Sequence, residues 1–192
     1  MKSILLTTFV LSLVPSLSAG DLHGKVTCKG VRDSADAVVY IEAVPGKTFA
    51  PPKDHAKIDQ KNLVFLPHVL PVLVGTTVDF LNSDAVLHNV FSPDACCSKF
   101  NLGTWPQGQS RSYTFKNECI AALLCKVHPE MEGFVLAVPT PYFAVTRADG
   151  SFSIPNLPDG SYNVKVWHSK LKSIHKTVAV AGATQAAFEI AR

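Results

Sequence analysis

The chain has 192 residues, and its 18 basic against 15 acidic side chains leave a formal charge of +3. Apolar residues make up 47% and charged ones 17%, against about 25% charged in an ordinary soluble domain, which excludes disorder as the main state. No lysine or arginine has another beside it, so with a balance this near neutral neither a nucleic acid nor an anionic membrane surface finds a footprint.

Residues 1–20 read as a secretory signal. Lys2 supplies the positive start, Ile4 to Val14 the apolar run, and Pro15-Ser16-Leu17-Ser18-Ala19-Gly20 the small-residue region where a peptidase cuts, near Ala19 or Gly20. No later stretch reaches eighteen apolar residues, so no membrane span is expected in the mature chain. The expected location is exported, the periplasm. A cut after Gly20 would make Asp21-Leu22-His23 the new terminus, whose amine, two amides and imidazole can form a square-planar Cu(II) or Ni(II) site.

The mature chain shows strand patterns and no amphipathic helix pattern. Gly24-Lys25-Val26-Thr27 and Ala37-Val38-Val39-Tyr40-Ile41 are expected to form a first hairpin. Pro45-Gly46 and Ala50-Pro51-Pro52-Lys53 make a breaker-rich linker, and Pro139-Thr140-Pro141 makes another. Between them Val78 and Phe80 alternate with Thr77 and Asp79. Beyond them Phe152 and Ile154 alternate with Ser151 and Ser153, and Tyr162, Val164 and Val166 with Asn163 and Lys165. Asp149-Gly150 and Asp159-Gly160 punctuate the tail at about ten-residue spacing, that of an antiparallel sandwich. The fold class is therefore all-β. The tail from Val145 to Tyr162 resembles the carboxypeptidase regulatory-like, or prealbumin-like, sandwich. That resemblance divides the mature chain into a discontinuous sandwich, 21–50 with 140–192, and an inserted block at 57–139. The alternative is a hairpin that adds its strands to the central block.

The chemistry concentrates in Leu124-Cys125-Lys126-Val127-His128-Pro129-Glu130-Met131, read with Asn82-Ser83-Asp84-Ala85-Val86-Leu87-His88-Asn89 some forty residues earlier. Thiolate and thioether hold Cu(I), imidazole suits both oxidation states, and two His with a Cys and a weak axial Met form the electron-transfer arrangement. Alone, Cys125 would read as a packed core thiol and His88 as a turn histidine. Cys-x2-His-x2-Met, however, places three donors on one short loop after a strand, with His88 arriving from another strand end.

These motifs carry a resemblance. Asn62 to Pro67, Gly75 to Asn82, His88-Asn89, Tyr113-Thr114-Phe115 and Cys125 to Val138 resemble a cupredoxin, a blue copper protein of the plastocyanin/amicyanin class, over about eighty residues. The whole architecture resembles the methylamine utilisation protein family. The resemblance implies one type 1 copper held by His88, His128, Cys125 and Met131, with Asn89 tying the two ligand-bearing loops together. It also implies outer-sphere transfer of single electrons through the edge of His128, near Pro129, with Lys126 and Glu130 steering a redox partner, a cytochrome or dehydrogenase. No enzyme activity is expected, since the chain has no His-x-His motif for a trinuclear cluster. The alternative is a copper delivery or tolerance protein, against which stands the small number of methionines, Met1 and Met131.

Five cysteines leave an odd one, which a metal-bound Cys125 accounts for. Of Cys28, Cys96, Cys97 and Cys119, a bridge from Cys96 or Cys97 to Cys119 would stiffen the strand leading to the ligand loop; the pairing stays open. A binuclear centre using Cys119 does not match the interval to Cys125. His55, His68, His168 and His175 are expected to be structural or solvated.

Overall fold

The computed structural model describes residues 19–192, so the expected signal segment lies outside the described residues except for its last two positions. The described chain is all-β, sixteen strands in four sheets with a single 3-10 turn. The first sheet runs β13 (Ser151–Pro158), β1 (Ala19–Cys28), β16 (Ala183–Ile190), and the second β12 (Phe143–Val145), β2 (Val38–Ile41), β14 (Gly160–His168), β15 (Leu171–Val180). The third runs β4 (Val64–Leu66), β3 (Ala56–Lys61), β6 (Thr77–Asn82), β9 (Ser110–Thr114). The fourth runs β5 (Val69–Leu73), β11 (Glu132–Val138), β10 (Cys119–Leu124), β7 (His88–Ser92), β8 (Phe100–Trp105).

Three apolar layers fix the stacking of these sheets. Leu22, Val26, Ile154 and Phe188 of the first sheet meet Val39, Ile41, Val164 and Val178 of the second. Val38, Tyr40 and Trp167 on the other face of the second sheet meet Val69, Phe134, Leu136 and Val138 of the fourth. On the far side of the fourth, Val90, Leu123, Val135 and Ala137 meet Ile58, Val78 and Phe80 of the third. One-sided strands show the alternation expected of them: in β6, Val78 and Phe80 are buried between half-exposed Thr77, Asp79 and Leu81. Strands β2 and β11 do not alternate, because each lies between two layers and must be apolar on both faces.

That constraint corrects the expected first hairpin. Strand β1 buries one face only, with Lys25 and Thr27 exposed, and it pairs antiparallel with β13 and parallel with β16. Strand β2, needed between two layers, pairs instead with β12 and β14. The two segments are thus in different sheets. The N-terminal metal site is corrected too: Leu22 and His23, whose amides would wrap the ion, lie within the ladders that pair β1 with β13 and β16, and the Asp21 nitrogen donates to Gly182 O at 3.0 Å. An ion there would have to break that pairing.

The Asp149-Gly150 turn forms as expected, with Gly150 at φ +81° and its carbonyl accepting from the Val26 amide at 2.9 Å. A side chain there would meet both the positive φ and Val26 O at 2.0 Å from its Cβ. The histidines outside the loop have local partners: His55 bonds Asp79 at 2.8 Å, His68 bonds Asp36 at 2.9 Å, and His175 bonds Glu42 at 3.0 Å. His168 is buried, and its Nδ1 accepts from the Lys170 amide at 3.1 Å. Among the described residues no helix is long and apolar enough to cross a membrane.

Burial pushes the His168 ring below its ordinary pKa; Asp36 and Asp33 oppose this, and Lys170 and His68 add to it. A base with a depressed pKa takes up protons more readily when unfolded, so its contribution is whole above about pH 6.5 and falls as the pH drops through that value. His168→Gln, which cannot charge, is expected to lessen the loss of stability between about pH 7 and pH 5. Urea midpoints of both proteins across that range check it; parallel curves would contradict the burial argument.

Candidate metal centre

Strand β6 ends at Asn82, and the loop to β7 is shaped by that residue. Its amide nitrogen donates to Val86 O at 2.8 Å and Trp105 O at 3.0 Å, and its Oδ1 accepts from the Asp84 amide at 2.9 Å. Asp84 in turn accepts from the amides of Asn62 at 2.7 Å and Leu63 at 3.0 Å, two residues at positive φ in the turn between β3 and β4. Burial works to raise the Asp84 carboxyl's pKa, but the Leu63 amide, the His88 ring and the Asn62 amide outweigh it and hold the carboxyl below its usual range.

Asp84 Oδ2 lies 2.9 Å from His88 Nε2. A carboxylate there calls for a proton on Nε2, which leaves the Nδ1 lone pair on the opposite edge of the ring. That edge faces His128 Nδ1 at 3.1 Å and Cys125 Sγ at 3.9 Å. The His88 side chain is 0% exposed, so it has no water to turn toward.

The other donors come from the hairpin of β10 and β11. Because β10 runs antiparallel to β7, with Leu124 opposite Phe91, the end of one and the start of the other share an edge. Cys125 follows directly and is buried. The loop closes on itself where the Met131 amide donates to His128 O at 3.0 Å. Met131 is fully buried in the same apolar cluster as Cys125, while His128 is half-buried and Lys126, Val127, Pro129 and Glu130 are exposed. Gly133 admits Phe65 beneath the loop: a Cβ there would come within 2.9 Å of the Phe65 side chain.

Asn89 links the parts. Its amide N–H points at Cys125 Sγ from 3.4 Å, and its Oδ1 accepts from the Lys126 amide at 3.3 Å. Its Nδ2 donates to Asn101 Oδ1 at 2.8 Å and Gly103 O at 2.6 Å, so β7, β8 and the Cys125 loop are held by one buried side chain.

Of the side chains singled out in the sequence, His88, Cys125 and His128 are brought together with their donor atoms within 4.8 Å of one another. Metal–nitrogen bonds of about 2.0–2.1 Å and a metal–sulfur bond of about 2.3 Å keep donors within roughly 4.4 Å of each other; the two separations from His88, 3.1 Å to His128 and 3.9 Å to Cys125, lie inside that limit. The donor set of two imidazoles and a thiol, with a thioether on the same loop, suits copper. Asp84 was given no role in the sequence, where nothing distinguishes it from any loop aspartate except its place four residues before His88. The open question of the bridge is answered by a Cys97–Cys119 disulfide, with Cys28, Cys96 and Cys125 free.

No protein-family model and no curated protein sequence matches the chain. Among solved structures it is similar to the copper-containing nitrite reductase from Thermus scotoductus SA-01, at 24% identity over 52% of this chain and TM-score 0.42. It is similar also to a purple cupredoxin from Nitrosopumilus maritimus, at 28% identity over 43% of this chain and TM-score 0.39. A third likeness is to the Cu(I) form of an amicyanin variant, at 24% identity over 53% of this chain and TM-score 0.42. The match spans 25% of the reductase chain, and 98% of each of the other two.

Replacing Asn89 by Ala strips partners from Lys126 N–H, Gly103 O and Asn101 at once, for an expected loss of about 1–3 kcal/mol. Urea unfolding of the metal-free protein measures it. A change within about 0.5 kcal/mol would mean the loops are held by something else.

Proposed function

We propose that this chain is an exported, one-copper carrier of single electrons, in which His88, His128 and Cys125 would hold the ion and Met131 would add a weaker thioether donor. The observation that carries this reading is the convergence of two imidazole Nδ1 edges and a buried thiol, supplied by two strands that are adjacent in the sheet but far apart in sequence. On this reading the central strands, within 57–139, form the copper-holding sandwich, and those of 21–50 and 140–192 form a second sandwich that carries it. Export is supported by the leader-like residues 1–20 and by a disulfide, which persists in oxidising compartments.

Bound copper would supply the one-electron couple; the chain supplies everything else. Packing on both faces of β11 fixes the loop, so its donors hold nearly the same positions in both redox states and little reorganisation opposes transfer. Asp84 fixes the His88 tautomer and the direction of its ring. Asn89 presents an N–H to the sulfur. Cys125 and Met131 lie away from solvent, whereas His128 reaches the surface beside exposed Val127 and, on the His88 loop, Val86 and Leu87. Exposed apolar side chains on the two loops that carry His88 and His128, at 44%, 44% and 52%, would offer a docking face to a redox partner, and exposed Lys126 and Glu130 on the His128 loop would give that partner charges to orient on. In this role no bond in a substrate is made or broken.

The deciding experiment is a copper titration of the purified protein, followed by absorption and redox cycling. An intense visible thiolate-to-copper band that bleaches on reduction and returns on oxidation is expected. It should vanish in Cys125→Ser, and persist with a shifted potential in Met131→Leu. A band that survives Cys125→Ser overturns the ligand set, and tight Cu(I) binding without reversible cycling points to delivery instead.

Asp84→Asn keeps the side chain's size but removes the charge and turns one of its two accepting oxygens into a donor. Its Cu(II) affinity is expected to fall about 10–100-fold, measured by competition with a chelator; unchanged affinity would mean the carboxylate has no part in orienting His88.

A further inference from the structure

A second sulfur group stands apart from the proposed copper centre. Cys96 and Cys97 are consecutive on the 3-10 turn Ala95–Cys97, and Cys119 opens β10. The turn is pinned to β10 where Asp94 Oδ2 accepts from the Ala122 amide at 2.7 Å. Cys97 and Cys119 share the disulfide and are each only 5% exposed. Cys96 is exposed and free, and its Sγ sits beside the bridge, in contact with Cys119 Sγ and 3.6 Å from Cys97 Sγ. A cavity of about 390 Å³ opens on Cys96 and Cys119, walled by Tyr40 and Lys165 from one sandwich and Glu118 and Ile120 from the other.

We propose that Cys96, Cys97 and Cys119 form a thiol–disulfide exchange site, in which the exposed Cys96 opens a buried bridge to an external dithiol. Cys119 borders the cavity, but the two bridge residues are each only 5% exposed, and exchange requires that a thiolate reach a sulfur. Cys96 already touches one. As a thiolate it attacks Cys119 Sγ; the Cys96–Cys119 bond forms as the Cys97–Cys119 bond breaks, and Cys97 leaves as a thiolate that takes up the proton Cys96 gave. Nothing is oxidised or reduced in this step. The new bridge presents an exposed sulfur, Cys96, to the cavity. One thiolate of an external dithiol attacks Cys96 Sγ and releases Cys119, which is protonated. The second thiol of the dithiol then closes on the first, releasing Cys96 as a thiol. Two electrons pass from the dithiol to the bridge, and the dithiol ends as its own disulfide. The partner is therefore a molecule carrying a vicinal dithiol, small or on a protein surface that enters this cavity.

The test uses the metal-free protein and so stands or falls apart from the copper reading. The bridge is reduced with dithiothreitol, with acid-quenched alkylation and peptide mass following the cysteines at 96, 97 and 119. Cys96→Ser changes an exposed side chain only, and its bridge is expected to be reduced at least about tenfold more slowly than in the unaltered protein. Equal rates overturn the relay. In Cys97→Ser, air oxidation is expected to join Cys96 to Cys119, giving a bridge reduced at least as fast as the native one. Failure to form that bridge in a folded variant, shown by a retained cooperative unfolding transition, overturns the exchange.

Discussion

The antiparallel pairing of β7 with β10 is the interaction on which the candidate centre depends. The two strands are neighbours although β8 and β9 lie between them in the chain, a Greek-key crossing. With Leu124, the last residue of β10, opposite Phe91, the start of β7 runs past the end of β10 and lies beside the loop that follows it. His88 begins β7 and Cys125 follows the end of β10, so the pairing itself brings a nitrogen and a sulfur donor, 37 residues apart, to one rim of the sheet. His128 and Met131 then need only a short loop. Were either strand to slip by one residue, its donor would move to the other face of the sheet, and no loop adjustment could recover the cluster.

What prevents such a slip is burial on two sides. Strand β11, which carries the far end of the loop, places Val135 and Ala137 in one apolar layer and Phe134, Leu136 and Val138 in the next. The Phe134 ring meets Trp167 edge-on, centroids 5.3 Å apart. The second pair of sheets therefore does mechanical work for the first: it covers a face that would otherwise be a large exposed apolar patch and clamps the strand from which the loop is hung. Strand β2 plays the matching part on the other side of that layer, with Val38 and Tyr40 turned toward β11 and Val39 and Ile41 turned away.

This double burial also marks where the sequence could be read and where it could not. Strands β6, β13 and β14 bury one face, alternate, and are legible as Val78 with Phe80, Phe152 with Ile154, and Tyr162 with Val164 and Val166. In Val38 to Ile41 every residue is buried; a continuous apolar run says that a strand is covered on both sides but not by what, and the segment reads equally well as half of a hairpin with Gly24 to Thr27. The donor set was visible because three of its members sit on one loop, where spacing alone fixes proximity. Asp84 was not, since its role comes from the turn amides of Asn62 and Leu63, more than twenty residues earlier, that hold it against His88. The choice between Cys96 and Cys97 was illegible for a simpler reason: adjacent residues on a tight turn differ in direction, not in position.

The two proposed sulfur chemistries stand at opposite ends of β10. Cys119 stands at its first residue and Cys125 just past its last, and six extended residues span roughly 20 Å. A free thiolate within reach of an exchanging disulfide would be drawn into it, and a ligand cysteine so captured could hold no metal. Cys125 is buried at the opposite end of the strand, with the Asn89 N–H and two imidazoles around it, while Cys96 is exposed at the other end, beside the cavity between the sandwiches. One strand thus serves both as the spacer that separates the thiols and as the rod that ties the 3-10 turn to the Cys125 loop. An exchange that loosened the turn would still leave the Asp94 bond to Ala122 holding it to β10, so the order of the donor end does not depend on which cysteine closes the bridge.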